Sequence, residues 1–545
     1  MTTTTTTDTT ATEDGADRAE DARAATSRLR VRGWLRALAP LHVGGVGQDP
    51  NAPLSVALDG RGRPYVPGTS LAGALRSLLH PGPDPRTGPR GEAAGRLWGH
   101  AEERGQGGSA SRIVVHDALV TTGCGLDGDG LPLDILDAAR LETRFSVGID
   151  RRTGTAAHGF LHARSVIPKG SLLRLELDLN TRAETEEADT AHLKALLHLL
   201  SRGQLRVGGA RTRGLGRLEL VSGQTEVREQ RFDSAAGLFA ALAGEGERWA
   251  PAAWQEAPAP VRQVLSVSVV WNPTGPLMVR SGTDGFTVDA LPMVGAAAPG
   301  KVALVLPGSS LKGVLRSRAE HIERTVRRLD APGTDNDDAP EADRSAAFRR
   351  QLDQLPAVSA LFGAAPLGGE DDPRGAGVVT VDDCQAKQLM PADLWDRVHE
   401  PAADEASSPF AELRDRHRLE RADHVAVDRW TGGAADGRLY SVLEPHGLTW
   451  STIGLTVDLG RLTHRHGPLA EAALALLLLV LRDLKAGRVP LGYATNRGMG
   501  DIDVRSVTLT LPGRADPVEL EEYLAGAEAE KLTARWCDYI DGKTA

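Results

Sequence analysis

A glycine-rich segment with interleaved arginines, near residue 210, has residue types that suit the binding of a phosphate group. Its relevant residues are Gly208, Gly209, Arg211, Arg213, Gly214 and Gly216. Glycines let a backbone approach a phosphate closely and turn N–H groups toward it, while arginines supply positive charge. A later segment keeps Arg497 and Gly498. The alternative is a flexible basic turn, and the nucleotide-binding pattern GxxxxGK[ST] is absent.

Two helix starts add backbone N–H groups that suit an anion. Pro-Gly followed by Thr/Ser-Ser-Leu predicts a turn and then a helix, with the Ser or Thr oxygen capping the first turn. The free N–H groups of a first helical turn bind anions readily. The candidate residues are Ser70 and Arg76 in the first segment and Ser310, Lys312 and Arg316 in the second. Capping alone is the structural alternative, and the two roles are compatible.

These segments belong to an internal repeat that spans most of the chain. Five motifs recur in the same order, with offsets of 240, 264, 266, 278 and 284 residues. They begin at Tyr65, Leu97, Val115, Ile149 and Gly208 in the first copy and at Val305, Leu361, Val381, Val427 and Gly492 in the second. Offsets that only grow indicate a duplicated domain whose second copy carries insertions.

The elements of each copy follow the order strand, helix, strand, strand, helix, strand. Alternation of apolar and polar residues predicts strands over 29–38 and 263–271, and the helices that follow the Pro-Gly turns span 71–79 and 311–326. This order predicts an α+β fold, with two ferredoxin-like, RNA-recognition-motif-like domains in tandem. The predicted regions are a disordered acidic, Thr-rich tail (1–28), a first domain (29–222), a linker (223–262), a second domain (263–511) with an insertion around 318–360, and a C-terminal helical segment (512–545).

The composition excludes several classes of protein. The three cysteines of the 545-residue chain lie too far apart for a disulfide scaffold or a CxxC zinc motif. The longest apolar run has ten residues, against about 20 needed to span a membrane, so we expect no membrane partner. No signal-peptide pattern opens the chain, so we expect a cytoplasmic protein. The net charge of −10 argues weakly against nucleic-acid binding, yet residues 31–222 carry 24 basic and 20 acidic groups, so local patches must decide.

The ordered set of motifs, present twice, resembles the RAMP superfamily, the repeat-associated proteins of CRISPR effector complexes. The resemblance covers roughly residues 30–222 and 263–511 and includes the segment Leu41–Gly45 beside the glycine loop and the Pro-Gly turn. It is closest to the tandem backbone subunits of type III complexes. It implies a subunit that binds guide RNA (crRNA) and extends β-hairpin thumbs across the duplex of guide and target RNA, displacing single nucleotides.

The resemblance also implies that an aspartate in the loop after the first strand cuts the target RNA. Asp289 fits the family pattern in the second copy, with Asp284 as the fallback, whereas the shorter first loop departs from the pattern and leaves Asp49 as its candidate. RNA carries its own nucleophile, the 2′-hydroxyl, so one carboxylate can accept a proton or hold a divalent cation, which the resemblance implies to be Mg²⁺. Arg280 and Lys301 are candidates for stabilising the phosphate. The alternative for each aspartate is a solvated loop residue.

Two predicted hairpin tips, Ile149–Gly154 and Val427–Gly432, match the thumb region of the family. Arginines there suit phosphates and aromatic residues suit stacking on bases. The candidates are Arg151, Arg152 and Arg429 for phosphates, and Phe145, Phe160 and Trp430 for bases. The alternative is an ordinary hairpin turn whose aromatic residues form its own small core. We assign no metal site, because no histidines pair at metal-binding spacing.

Three functions remain open from the sequence. The first is a backbone subunit that binds crRNA and cuts complementary target RNA, and the second is a scaffold that binds crRNA without cutting. The third is an endoribonuclease that processes the guide, which normally relies on a site of its own. The partners that the resemblance implies are other RAMP backbone subunits, a large polymerase-like signalling subunit and a small helical subunit.

Overall fold

The computed structural model describes residues 25–45, 52–79, 93–101, 108–258, 262–333, 339–366, 374–401 and 408–543. The candidate Asp49 and most of the predicted tail therefore lie outside the described residues. The first strand already begins at Ser27.

The first domain is built on an antiparallel sheet whose central strand buries every second side chain. In chain order its main elements are β1 (Ser27–Ala37), α1 (Gly68–Leu79), β2 (Ile113–Val115), β3 (Ala118–Thr121), β4 (Glu142–Ile149), β5 (Ala156–Val166), β6 (Leu172–Thr181), α2 (Glu186–Ser201), β7 (Arg217–Leu220) and β8 (Glu226–Arg231). The paired strands run in the order β7–β1–β6–β3, with β2 also on β6. The first and third core strands, β1 and β6, are thus central, as in ferredoxin-like domains.

The second domain repeats this order with additional elements. They are β9 (Val264–Pro273), β10 (Val294–Ala298), β11 (Lys301–Leu306), α3 (Gly308–Arg327), α4 (Glu341–Asp353), α5 (Pro356–Phe362), β12 (Val379–Val381), α6 (Phe410–His417), β13 (Leu419–Val427), β14 (Ala434–Pro445), β15 (Ile453–Asp458), α7 (Leu459–His466), α8 (Leu469–Lys485) and β16 (Ile502–Thr510). Its sheet runs β12–β15–β9–β16. The predicted fold of two ferredoxin-like domains in tandem is confirmed.

Each domain carries an antiparallel hairpin between its second and third core strands. We call β4–β5 the first thumb and β13–β14 the second thumb. Their registers match, since Ile149 pairs with Ala156 and Val427 pairs with Ala434, each beside a bulge. The hairpins therefore come from the same step in the duplicated topology.

The sequence after β7 continues the first domain, although a linker was expected over 223–262. Strand β8 pairs with β1 from Ser27 to Arg32, and Trp254 is fully buried in the first core. The linker was predicted from a high content of Ala, Gly, Glu and Pro. Strand β8 gives little apolar signal in the sequence, because Val227 alone supplies a deeply buried apolar side chain. The described residues of this region are folded onto the first sheet as far as residue 258.

The C-terminal segment forms helices α9 (Leu520–Leu524) and α10 (Ala527–Ile540), as its sequence predicted. Leu532 and Trp536 of α10 are buried in the second core, against the apolar helix α8. Burial of two large apolar side chains contributes several kcal/mol, on the order of 1.5–3 kcal/mol each, so α9 and α10 belong to the second domain.

The recurring Pro-Gly turn is held by an aspartate from the strand region that follows. Gly68 N donates to Asp117 Oδ1 over 2.7 Å, and Gly308 N donates to Asp383 Oδ1 over 2.8 Å. For α3 the expected serine cap is wrong, because Pro307 occupies the N-cap position and the carboxylate binds the first free N–H. This contact explains why a Val-x-Asp motif recurs in both copies.

The remaining elements are short. The strands are Tyr65–Val66, His100–Ala101, Gly108–Ser109, Leu205–Arg206, Glu247–Arg248, Gly363–Ala364, Gly375–Ala376, Cys384–Gln385, Met390–Pro391 and Val518–Glu519. The helices and 3-10 turns are Ala93–Trp98, Ala138–Arg140, Arg211–Arg213, Ser222–Gln224, Ala235–Leu242, Ala252–Gln255, Ala392–Asp396, Arg397–His399 and Thr495–Arg497. Across the described part of the chain, no helix is both long and apolar enough to cross a lipid bilayer.

Candidate nucleic-acid interface

The first glycine loop lies at the contact between the two domains. We call this contact, between residues 206–217 and the start of α3 with residues 381–383, the seam. Arg206 pairs with Asp382, and Arg217 Nη1 lies 3.6 Å from the same carboxylate. Asp383 is buried there, and burial raises the pKa of its carboxyl. The backbone of Gly214 packs directly against it. Basic side chains of the first domain are therefore fixed against the second.

The loop glycines are required by contacts with protein. Gly208, Gly214 and Gly216 have φ angles of +84°, +93° and +85°. A side-chain carbon would overlap the carbonyl of His42 at Gly208 and the side chain of Asp383 at Gly214. The sequence predicted that these glycines let the backbone approach a phosphate. In the structure they let the loop backbone approach other protein segments, and so bring strands and domains together.

The second glycine loop has the same backbone pairing and a free outer surface. Gly209 N donates to His42 O over 2.7 Å, and Tyr493 N donates to Met278 O over 2.8 Å. Gly498, at the position that matches Gly214, has a φ of +85° and no heavy atom near its missing side chain. No described residue covers the second loop as the second domain covers the first.

Lys312 is buried at the seam among other cations. Its Nζ donates to Val379 O over 2.7 Å. Burial, followed by the charges of Arg316, Arg213 and Arg461, lowers the pKa of Lys312 to about 7. No carboxylate offsets these effects on Lys312 among the described residues. A buried lysine surrounded by like charge is a site that an anion would stabilise.

Helix α7 extends this positive region. Burial, then the charges of Arg465 and Arg211, lowers the pKa of Arg461, against an opposing effect of Asp458. Burial, Arg465 and Arg461 likewise lower the pKa of His466. Sequence analysis did not select these residues, although the sequence of α7 carries two arginines and two histidines within its last six positions.

The base of the first thumb continues the positive region on the other side of the seam. Burial lowers the pKa of Arg164, and the charge of Arg213 lowers it further. Burial lowers the pKa values of His42 and His162 most, and the charge of Arg164 lowers them further. We call the whole set the cation band: Arg211, Arg213, Arg164, His162, His42, Lys312, Arg461, Arg465 and His466. Because the pKa values of its three histidines are lowered, its arginines carry most of the positive charge at pH 7.

The other residues predicted at the two helix starts differ in their exposure and in their hydrogen bonds to protein, and so in how freely they could bind an anion. Ser70 and Arg76 lie half-exposed on α1. Ser310 N donates to Pro307 O over 2.9 Å, within the first turn of α3. Arg316 Nε donates to Glu320 Oε1 over 2.7 Å. Its charge is therefore partly balanced within α3.

The two thumb tips have one turn geometry. Asp150 Oδ1 accepts hydrogen bonds from the backbone N–H groups two and three residues on, over 2.8 and 3.0 Å, and Asp428 Oδ1 does the same over 2.9 and 2.8 Å. The aspartates therefore build the turn. Arg429 is exposed, and Trp430 is 96% exposed at the tip of the second thumb. An exposed tryptophan on a defined turn is available to stack on a base or a partner.

The tip of the first thumb is instead packed on the second domain. Arg151 Nε donates to Glu320 Oε2 over 2.6 Å. The ring centroids of Phe160 and Phe348 are 4.4 Å apart. Arg152 stays exposed. The structure therefore places Arg151 and Phe160, both predicted to meet RNA, in contacts within the chain.

Strand β4 of the first thumb lies on the loop that carries Asp289. The ring of Phe145 leaves no room for a side-chain carbon on Gly282. Glu142 Oε1 accepts a hydrogen bond from Ala296 N over 2.8 Å. Phe145 is thus half-buried against protein, and the loop of the second domain is bounded by the first thumb.

Asp289 is exposed and joined to the base of the second thumb. Its Oδ2 accepts hydrogen bonds from Ser441 N over 2.8 Å and from Ser441 Oγ over 3.1 Å. These bonds lower the pKa of Asp289, so the side chain is a carboxylate. No described residue donates a hydrogen bond to its Oδ1. One oxygen orients the group while the other is free to accept a proton or a ligand.

Arg280 is the cation of this loop that contacts Asp289. Arg280 Nη2 donates to the backbone oxygen of Asp289 over 3.0 Å and to Asp284 Oδ1 over 2.8 Å. Asp284, the fallback candidate, is therefore paired, and Lys301 is exposed at the start of β11. Among the described residues there is no group of three or more His, Cys, Asp and Glu side chains that could hold a metal ion by itself.

The second glycine loop carries a stacked group on the other face of the second thumb. The guanidinium of Arg497 lies 5.7 Å from the ring centroid of Tyr440 and 5.8 Å from that of Tyr493. His424 stacks on Tyr440 with centroids 5.3 Å apart. Sequence analysis selected Arg497 and missed both tyrosines, which are distant in sequence. Arg497 Nη1 donates to the Tyr440 hydroxyl, which fixes its position, and its other side-chain donors have no hydrogen-bond partner in the part of the chain that the structure describes.

Comparison with known proteins agrees with this architecture. A family model of the RAMP superfamily matches residues 34–219 and 275–503, which together form most of the chain. No curated protein matches the sequence. The two matched regions coincide with the two ferredoxin-like domains, so the resemblance found in the sequence is confirmed, and it implies a CRISPR-associated subunit that binds RNA. The chain therefore belongs to the RAMP superfamily, with one copy of the family domain in each half.

Proposed function

We propose that this chain is a crRNA-binding backbone subunit of a type III CRISPR complex and that its second domain cuts complementary target RNA through Asp289. The cation band is the observation that carries the RNA-binding part. It joins the first glycine loop, the first thumb and two helices of the second domain in one positive strip. The proposed partners are crRNA, target RNA, other RAMP subunits, a polymerase-like subunit and a small helical subunit.

The cation band suits a phosphate backbone better than a protein partner. The charges of neighbouring arginines lower the pKa values of Lys312, Arg461 and His466, so a polyanion beside them is stabilised by several positive groups at once. Phosphate contacts carry no sequence information, which agrees with a guide whose sequence varies.

The position of Asp289 supports the cutting step. Its loop is bounded by Phe145 of the first thumb and by Ser441 of the second. A target nucleotide held between two thumbs has little freedom, and alignment of its 2′-oxygen with the phosphorus supplies much of the rate. Asp289 accepts the 2′-hydroxyl proton, the 2′-oxygen bonds to phosphorus, and the bond from phosphorus to the 5′-oxygen breaks, with that oxygen taking a proton from water. The products are a 2′,3′-cyclic phosphate and a 5′-hydroxyl.

A Mg²⁺ ion fits the donor set without a dedicated protein cage. In place of accepting the proton, the free Oδ1 of Asp289 could hold Mg²⁺ together with RNA phosphate oxygens, which matches the preference of Mg²⁺ for one or two carboxylates and substrate oxygens. When bound, the ion would neutralise charge on the phosphate. In the protein itself, Ser441 and Arg280 hold the loop and keep Asp289 ionised.

The test is cleavage by the assembled complex, with crRNA and an end-labelled complementary target. Asp289→Ala should remove one cut, slowing it by roughly 10²-fold or more, while guide and target binding persist. Asp436→Ala removes an exposed carboxylate on the second thumb. It is the matched control, and this variant should cut normally.

Two results would change the conclusion. If Asp289→Ala cuts as the unmodified chain does, while target binding persists, the subunit is a scaffold. If the purified chain carries no nucleic acid and binds no RNA, the RNA-binding proposal fails as well. The ratio of absorbance at 260 and 280 nm gives a first answer.

A further inference from the structure

We infer that the chain holds one cutting site, in the second domain, because the first domain has other residues at each position that builds the site around Asp289. This inference rests on the proposed function. It predicts that the chain cuts a target beside one of its two domains only.

The two loops are anchored at equivalent positions on both sides. In the first domain Gly45 N donates to Ser55 O, and in the second Ser281 N donates to Leu291 O. The paired residues are ten apart in both loops, and the offset between the domains is 236 at each end. Over its whole length, from His42 to Pro67, the first loop is four residues shorter than the second, from Met278 to Pro307. The stretch between the paired residues has the same length in both, so each position of that stretch has a partner in the other domain.

Contacts with the thumbs fix the same alignment independently. Leu54 N donates to Ala163 O over 2.9 Å, as Ala290 N donates to Ser441 O over 3.0 Å. Leu54 bridges strand β5 in the way that Ala290 bridges β14. Because the thumbs share one register, these bonds align Pro53 with Asp289.

The residues at the matched positions have no catalytic chemistry. Pro53 has neither a carboxylate nor a backbone N–H. Ala163 stands where Ser441 provides its hydroxyl, and the same offset places Gly44 at the position of Arg280. Three groups of the Asp289 site are therefore replaced together in the first domain.

The candidate Asp49 does not take the place of Asp289 in this alignment. The offset of 236 matches it with Gly285, four residues before Asp289. In the second domain Gly285 lies in a turn of the loop, where its N donates to Val288 O over 2.8 Å. Asp49 itself lies outside the described residues, and the cleavage experiment tests it directly.

The same comparison assigns Ser441 a positioning role. Its N–H and hydroxyl hold one carboxylate oxygen of Asp289, and Thr287 O, 3.3 Å from the hydroxyl oxygen, is a second acceptor for the same hydroxyl hydrogen. Ser441 thus fixes the orientation of the carboxylate and leaves Oδ1 free for the reaction.

The deciding experiment maps target cuts by the assembled complex with Asp49→Ala, Asp289→Ala and both substitutions. We expect Asp49→Ala to leave every cut in place and Asp289→Ala to remove one. If Asp49→Ala removes a cut while Asp289→Ala removes another, the single-site inference is overturned and the proposed function stands. If neither substitution removes a cut, both are overturned.

A second measurement tests Ser441 by a property that folding alone would not change. Ser441→Ala should slow the Asp289-dependent cut roughly tenfold and move the acid limb of its pH–rate profile to higher pH, since a lost hydrogen bond raises the pKa of Asp289. Ser441→Thr should restore both rate and profile. A profile that Ser441→Ala leaves unmoved contradicts the positioning role.

Discussion

Lys312 is the residue whose chemistry depends most on what the chain binds. It is a lysine with a pKa of about 7, held between the two domains with cations for neighbours. In the free chain its charged form is disfavoured, so stability falls as the pH falls from about 10 toward about 7. A bound phosphate reverses the preference and favours the protonated form. RNA binding and proton uptake are therefore coupled at this residue.

We predict that the affinity of the chain for a short RNA rises as the pH falls from about 8 to about 6, by up to roughly tenfold per unit near pH 8. Lys312→Met should weaken binding roughly tenfold at pH 7 and flatten this dependence, because the titrating ammonium group is gone. Fluorescence anisotropy at constant ionic strength measures both quantities.

The same variant should stabilise the free chain, by on the order of 1–3 kcal/mol at pH 7, because a buried charge whose only hydrogen-bond acceptor among the described residues is the Val379 carbonyl is removed. Urea unfolding measures this change. Lys387→Met, at an exposed lysine, is the control and should alter neither stability nor pH dependence. A destabilised Lys312→Met chain that binds RNA normally would contradict the role given to Lys312.

Sequence alone selected Asp289, Lys312, Arg213 and Arg497, because short motifs carry them. It did not select Ser441, whose hydroxyl meets Asp289 across 152 residues of chain. No local pattern marks such a serine, because its role is created by the return of a hairpin to the loop. Residues of this kind become visible only when the topology is known.

At the scale of elements, the two thumbs are alike in register and unlike in surroundings. The first is packed on α4 through Phe160 and Phe348, and the second presents Trp430 to solvent. Helix α4 belongs to the insertion that the growing offsets indicated, and it begins after an acidic stretch whose residues 334–338 lie outside the described part. The insertion thus provides a surface on which the first thumb packs.

We predict that Phe348→Ala loosens the first thumb without unfolding either domain. Loss of the aromatic pair removes about 1 kcal/mol of contact, so amide hydrogen exchange at the tip of the first thumb should accelerate several-fold. The second thumb is the internal control, and its exchange should stay as it is. Equal acceleration in both thumbs would show that Phe348 acts through global stability.

The core elements were predictable because each has a strong local signal. The alternation in β1 and β9 and the apolar faces of α1, α3 and α8 depend on near neighbours in sequence. Strand β8 was missed, since its pairing with β1 is decided by packing rather than by its own composition. The helix cap by Asp383 was missed for a similar reason, since the cap comes from 75 residues away.

At the scale of the whole molecule, the seam offers a matched comparison between two glycines. Gly214→Ala and Gly498→Ala both place a side chain at a positive φ, at a cost of about 1 kcal/mol. Only Gly214 faces Asp383, so its substitution should cost about 1–3 kcal/mol more through overpacking. Chemical denaturation followed at both domains measures the difference. Equal losses would mean that the seam contributes little to stability.

The contrast between covered Gly214 and open Gly498 has a consequence for how an array of such units forms. Within this chain, one junction between neighbouring units is already made, so its formation does not depend on protein concentration. Covalent linkage gives the second unit an effective concentration near the first that free subunits in dilute solution do not reach. In the proposed complex, the chain would thereby fix which unit follows which, and assembly would need only the junctions with the neighbouring subunits.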